Sequence, residues 1–147
     1  MMIRFILATA LLVLSAYTDT QAKSTPATLG MASTAHPLAT QAAQTIYEMG
    51  GNSIDAGIAA SLTLAVVEPS MSGLGGRAQA IVSHSDGRFQ GYNGMTEIPQ
   101  NFVLQAEMPS SGYTTVATPG LIALLQVLHK HHGSLPFERL IQPAIDH

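Results

Sequence analysis

Residues 52 to 80 read "NSIDAGIAASLTLAVVEPSMSGLGGRAQA", and how this stretch folds decides the architecture. Asn52 or Ser53 can cap a helix, and Asp55 would then lie in the first turn, where a carboxylate meets the positive end of the helix dipole. From Ile54 to Val67 no charge follows Asp55 and no polar residue is larger than Thr, which predicts a helix buried on nearly every side. Ala56, Gly57, Ala59 and Ala60 keep that helix thin. Leu62, Leu64, Val66 and Val67 fill volume, each worth roughly 1.5 to 3 kcal/mol if fully buried. The run is too short to span a bilayer, which takes about 20 apolar residues. Glu68 and Pro69 end it, and the backbone then passes Gly73, Gly75 and Gly76 before an alternating pattern begins.

Upstream, "AHPLATQAAQTIYEMGGN" predicts an amphipathic helix. Pro37 suits its first position, Leu38, Ala42, Ile46 and Met49 recur on one face, and Gly50 and Gly51 end it. His36 is read as a helix-entry residue in preference to a catalytic base. Downstream, "AQAIVSHSDGRFQGYNG" alternates with period two around Asp86-Gly87, the signature of a hairpin. "YTTV" at 113–116 is a further strand candidate. "TPGLIALLQVLHKHHG" predicts a helix with Thr118 as cap, Pro119 at its first position and Gly133 beyond its end.

The chain of 147 residues bounds the fold at one domain at most, and its beginning is best set aside. Arg4, the apolar run Phe5 to Ala16, and Thr20-Gln21-Ala22 fit a secretory signal peptide over 1–22 cut after Ala22. Residues 23–29, "KSTPATL", read as a flexible lead-in, and residues 30–147 as the domain portion. Export to a periplasmic or extracellular space is the localisation expected, with no stable membrane insertion.

With Arg4 and Asp19 removed by that cut, five basic and eight acidic side chains remain, so no cationic face is available for nucleic acid. Cysteine is absent, which rules out disulfide staples and thiolate metal sites. Only 10% of residues are charged, against about 25% in ordinary soluble domains, and "FERLIQPAIDH" ends within a helical pattern. The surface is short of polar covering, which predicts an incomplete fragment whose outside is to be covered by other polypeptide.

Candidate chemistry is sparse. Gly73-x-Gly75-x-x-Ala78 matches a dinucleotide fingerprint in letters, but that site needs a strand before it and a helix after it, the reverse of the order here. No lysine follows at P-loop spacing. In "HKHH", His129 and His132 share a helical face, yet a metal needs further ligands, and a last helical turn favours histidine for its dipole alone. A solvated helix end is the preferred reading, with no metal and no cofactor. Ser70, Ser72 and the threonines lie in no nucleophile elbow, so no catalytic residue is assigned.

The segments "GMASTAHPLATQAAQTIYEMGGNSIDAGIAASLTLAVVEPSMSGLGG" and "VATPGLIALLQVLHKHHGSLPFERLIQPAI" carry His-Pro-Leu-Ala-Thr, Gly-Gly-Asn-x-x-Asp-Ala, Val-Val-Glu-Pro and Ser-Gly-x-Gly-Gly in order. This series resembles the N-terminal part of the large subunit of gamma-glutamyltransferases, also called gamma-glutamyltranspeptidases or glutathione hydrolases. The resemblance implies an α+β fold, part of an N-terminal nucleophile hydrolase αββα sandwich. It also implies a precursor that cleaves itself, a small-subunit partner whose N-terminal threonine attacks the gamma-glutamyl amide, and a fragment inactive alone. Relatives place an Arg on the substrate α-carboxylate in a segment that here reads "NGMTEIP", with Met95 at that position. Arg88 is the nearest upstream alternative. Ser72, Gly73, Gly75 and Gly76 are expected to pack the buried helix against the hairpin and to line the pocket, and Arg77 stands where relatives carry a small residue. The alternatives are an acylase or amidohydrolase of the same family, and a non-catalytic truncated remnant or binding module.

Overall fold

A computed structural model describes residues 29–104, 107 and 109–147; the leader over 1–22 lies outside the described residues. The elements run α1 (Pro37–Glu48), α2 (Ser53–Val67), a single turn α3 (Pro69–Ser72), β1 (Ala78–Ser83), β2 (Phe89–Gly94), a 3-10 turn (Tyr113–Thr115), α4 (Leu121–His132) and α5 (Phe137–Ile145).

α2 is the centre of the molecule. Asn52 caps it: its Oδ1 accepts from the N–H groups of Ile54 and Asp55 at 2.8 and 3.0 Å, and Asp55 Oδ2 accepts from the Asn52 N–H at 3.0 Å. The reciprocal bonds of this capping box satisfy donors that a helix start leaves orphaned. Asp55, Ala56, Ile58, Ala59, Ala60, Leu62, Thr63 and Ala65 are buried, while the stripe through Ser53, Gly57 and Ser61 stays open. The helix is therefore covered on three sides, and Val66 near its end is 45% exposed.

α1 packs most heavily on α2. Its buried face is Ala39, Ala42, Ala43 and Ile46, rotated from the expected Leu38, Ala42, Ile46 and Met49, and Met49 is 40% exposed. The reason is close approach: alanine against alanine lets the two helix backbones near each other, and the larger Leu38 is displaced to the rim. His36 is the N-cap, its Nδ1 accepting from the Leu38 N–H at 3.2 Å, in line with the helix-entry reading. α5 lies against α2 and α1 through Leu140 and Ala144.

On the other side α2 and α4 cover one face of the β1–β2 hairpin, burying Val82 and Gly94 with Leu121, Leu124, Leu125 and Leu128. The strands are antiparallel in the register Ala78↔Gly94 to Ser83↔Phe89. Gly87 closes the turn at a φ of +84°, a left-handed conformation that glycine adopts at no steric cost. The outer face carries Gln79, Ile81 and Phe89, and the two apolar ones are 79% and 74% exposed.

Two expected elements differ. Tyr113–Thr115 form the 3-10 turn rather than a strand, and Val116 follows it; Thr115 Oγ1 and N–H both turn back to the Gly112 carbonyl, at 2.7 and 3.1 Å, and hold the segment tight. Thr118 does not cap α4. Its N–H and C=O are both taken by Glu97, at 2.8 and 3.1 Å, in an antiparallel bridge that keeps the chain extended past Pro119, so the helix starts at Leu121 after Gly120.

Candidate functional site

At the base of the hairpin three stretches of backbone meet. The Gly76 carbonyl accepts from the N–H groups of Gly120 and Leu121, both at 3.2 Å, and so caps α4 with main chain in place of a side chain. Gly94 and Gly120 pass so closely that a Cβ on Gly120 would stand 2.2 Å from the Gly94 oxygen and 2.5 Å from the Met95 oxygen. A Cβ on Gly94 would meet Leu124 Cβ at 2.6 Å. The bare backbone required for close packing is thus at 94 and 120. In the 73–76 loop the demand is milder: a Cβ on Gly73 or Gly76 would touch one carbonyl at 3.0 or 2.9 Å, and Gly75 faces open space.

Two clefts flank this crossing. One, of about 260 Å³, is lined by Tyr92, Met95, Pro119, Leu124 and Val127, with Glu97 as its charged group. The other, of about 420 Å³, is lined by Ser61, Leu64, Met71, Ser72, Gly76 and Arg77, among others. Of the loop residues, Ser72, Gly73 and Gly76 border the second cleft, and Gly75 faces open space. Met95 belongs to the first cleft and Arg77 to the second.

Arg88 is not brought to this end. It sits at the hairpin tip, where its Nε donates to Asp86 Oδ2 at 2.7 Å, the only ion pair among the described residues. The hydrogen bond from Arg88 holds the Asp86 carboxyl below its ordinary range, with the backbone N–H of Arg88 adding to the effect. The six residues of β2 lie between it and position 95, a span of about 23 Å at the usual rise.

His129 and His132 at the end of α4 are half-buried, while His131 is exposed, and the two half-buried rings point to different neighbours. His129 Nε2 bonds the Leu135 carbonyl at 2.8 Å, with its ring edge-on to Phe137. His132 Nε2 pairs with the Tyr92 hydroxyl, and its ring meets His84 at 5.5 Å between centroids. One helical face thus serves two contacts, because α4 is wedged between the hairpin and the α5 connection. Among the described residues no three His, Asp or Glu side chains converge on a metal position.

Asp55 has a role that the sequence does not signal. It is fully buried and, besides its capping bond, accepts from the Ser134 N–H at 3.1 Å and from the Ser134 hydroxyl. Asn52 Nδ2 donates to the His132 carbonyl at 2.6 Å. The Gly-Gly-Asn-x-x-Asp-Ala series therefore fastens the α4–α5 connection to the start of α2, across 79 and 80 residues of chain. Among the described residues no serine or threonine hydroxyl is bonded to an imidazole.

Helices laid on one face of an antiparallel hairpin, with the other face bare, are one side of a layered sandwich. Solved structures share the layout. Gamma-glutamyltranspeptidase of Helicobacter pylori superposes with a TM-score of 0.76 at 28% identity, over 84% of this chain and 38% of that one. Cephalosporin acylase of Bacillus halodurans gives 0.69 at 35% identity, over 76% of this chain and 22% of that one. The class is the N-terminal nucleophile hydrolase, represented here by part of its α+β fold.

The model of the gamma-glutamyltranspeptidase family matches residues 39–147, and the chain belongs to that family. A relative, the glutathione hydrolase-like YwrD proenzyme of Bacillus subtilis, is 33% identical over 132 residues, 85% of this chain and 25% of its own length. Curated relatives are matched over about a fifth of their length, from 18 to 25%. Among the described residues no helix is long and apolar enough to cross a membrane.

Proposed function

We propose that this chain supplies the opening segment of the large subunit of an exported, self-processing amide hydrolase or transferase acting on gamma-glutamyl compounds. The partner is a small subunit whose N-terminal threonine is the nucleophile, and the chain has no activity without it. The observation that carries this reading is the family match over 39–147 on a hairpin covered by helices on one face only, with Ile81 and Phe89 bare on the other. A separate polypeptide bearing the nucleophile would cover that face. The chain carries no assigned nucleophile of its own, which fits a contribution to binding and packing. Export would remove residues 1–22 and leave Lys23 as the first residue, which the mass of the mature protein reports.

A second reading, that the whole protein is an acylase of the same family, is favoured by Met95. A thioether cannot pair with the α-carboxylate that an Arg at that position would hold, and the adjoining cleft is largely apolar, with Glu97 its charged group. The test is to combine the chain with a small-subunit polypeptide from the same locus and supply a chromogenic gamma-glutamyl amide beside a neutral acyl amide. Turnover of the first supports the proposal, and turnover of the second alone supports the acylase reading. Absence of both turnover and complex formation sinks both, and leaves a non-catalytic remnant or binding module.

A further inference from the structure

The inward row of β1 runs Ala78, Ala80, Val82 and, one step past the strand, His84. The buried stripe of α4 runs Leu121, Leu124, Leu125, Leu128 and, one turn further, His132. Where the two rows meet at the hairpin tip, apolar packing gives way to two imidazoles set edge-on, with ring centroids 5.5 Å apart. Tyr92, from the inward row of β2, completes the group by pairing its hydroxyl with His132 Nε2. His84 is half-buried, and its Nε2 is shut off from solvent with no hydrogen-bond partner among the described residues. The other end of the hairpin is held by main chain, through the close approach of Gly94 to Gly120 and the Gly76 carbonyl on α4. We propose that the imidazole pair of His84 and His132 is an acid-released latch, holding the hairpin tip on α4 while both rings are neutral and freeing it when they take up protons.

A neutral imidazole keeps one ring nitrogen without hydrogen, and His84 can present that nitrogen at Nε2 with its proton on Nδ1. A second proton puts a charged N–H where nothing accepts it, and a charged group without a partner is costlier to bury than a neutral one. Two protonated rings at this separation also repel each other. The surrounding charges do not reverse the sign. Asp86 is the carboxylate of the same turn, but its side chain is 52% exposed and bonded to Arg88 at 2.7 Å, so water screens it and the guanidinium offsets it. Asp55, at the start of α2, is turned to Asn52 and Ser134. The C-terminal dipole of α4 favours a cation, and the exposed Lys130 and His131 supply it without burial. The latch is therefore complete near pH 8 and is lost as pH falls toward about 5, the span in which histidine ordinarily changes charge. Release uncovers the adjoining Val82 and Leu128, while the glycine crossing keeps the base of the hairpin closed.

Amide hydrogen exchange in the full chain, corrected for the intrinsic effect of pH, reads the latch. Between about pH 7.5 and about pH 5.5, protection at residues 81–84 and 89–92 is expected to fall roughly tenfold or more, with residues 94–95 and 120–125 unchanged. His84→Leu, which continues the apolar row, should hold the tip protected at the lower pH, and His132→Leu should do the same. His129→Gln alters the other half-buried imidazole of α4 and should leave the wild-type step in place. The imidazole resonances of the wild type give a second measurement that needs no variant, and decide alone if a leucine variant fails to fold: the His84 ring should take up its proton in step with the loss of protection. Tip protection that is absent at the higher pH, unchanged at the lower, or lost together with that of the base overturns the proposal. So does a step that survives His84→Leu, or a His84 ring that titrates while the tip stays protected.

Discussion

The molecule has two sets of glycines at the base of its hairpin, and they behave oppositely. The loop with Gly73, Gly75 and Gly76 is dense in glycine along the sequence, yet none of the three has a positive φ and one faces open space. Gly94 and Gly120 are isolated, 26 residues apart, and there the two backbones touch so closely that neither tolerates a Cβ without movement. Glycine density along a chain marks local freedom, whereas a steric need for glycine arises where distant segments cross. The carbonyl of Gly76 joins the two sets by capping α4.

Gly120→Ala is the strongest way to break this comparison. Its Cβ would overlap backbone oxygens, which cannot rotate aside, and a loss of about 3 kcal/mol is expected in urea unfolding. A value under about 1 kcal/mol would show that the crossing relaxes freely. Asp55→Ala comes next, at about 2 kcal/mol, because it removes the fully buried carboxylate that accepts from both the Asn52 and the Ser134 N–H groups. Hydrogen exchange should then rise at the α4–α5 connection as well as at the start of α2; a rise at α2 alone would reduce Asp55 to a local cap.

Thr63→Val acts in the other direction. Its hydroxyl is fully buried without a hydrogen-bond partner, and an apolar isostere should raise the unfolding free energy by about 1 kcal/mol. A loss instead would mean that a water or an unnoticed acceptor serves the oxygen. Gly75→Ala is the smallest effect, within about 0.5 kcal/mol of wild type by the same unfolding assay. A cost like that of Gly120→Ala would erase the contrast between the two glycine sets.

Much of the fold follows from local pattern. Asn52 and Asp55 announce the start of α2, Asp86-Gly87 the hairpin turn and Gly133 the end of α4, since caps and turns act within a few residues. The misreadings share one cause. Thr118 and Pro119 look like a helix start, but Glu97 holds Thr118 in a bridge; residues 113–116 look like a strand, but Gly112 folds them into a turn. The rotation of the α1 face is of the same kind, set by how closely α2 approaches.

The candidate site was only partly readable. Family likeness drew attention to Met95 and to the glycine loop, and the atypical Arg77 was visible as a residue. That Arg77 follows the glycine loop at the same end of the hairpin as Met95, yet borders a different cleft, depends on strand pairing and packing. Distance along the chain pointed instead to Arg88, which the hairpin carries to its other end.

By itself the sequence determined the helix and hairpin identities, the lack of cysteine and cationic surface, and the family, because these depend on composition, short-range patterns and ordered motifs. The tertiary structure alone decided which glycines must be glycine, that Asp55 fastens a connection 79 residues away, and which arginine shares an end with Met95. Such contacts join positions whose separation along the chain carries no trace of their meeting, so only the packed arrangement of backbones specifies them.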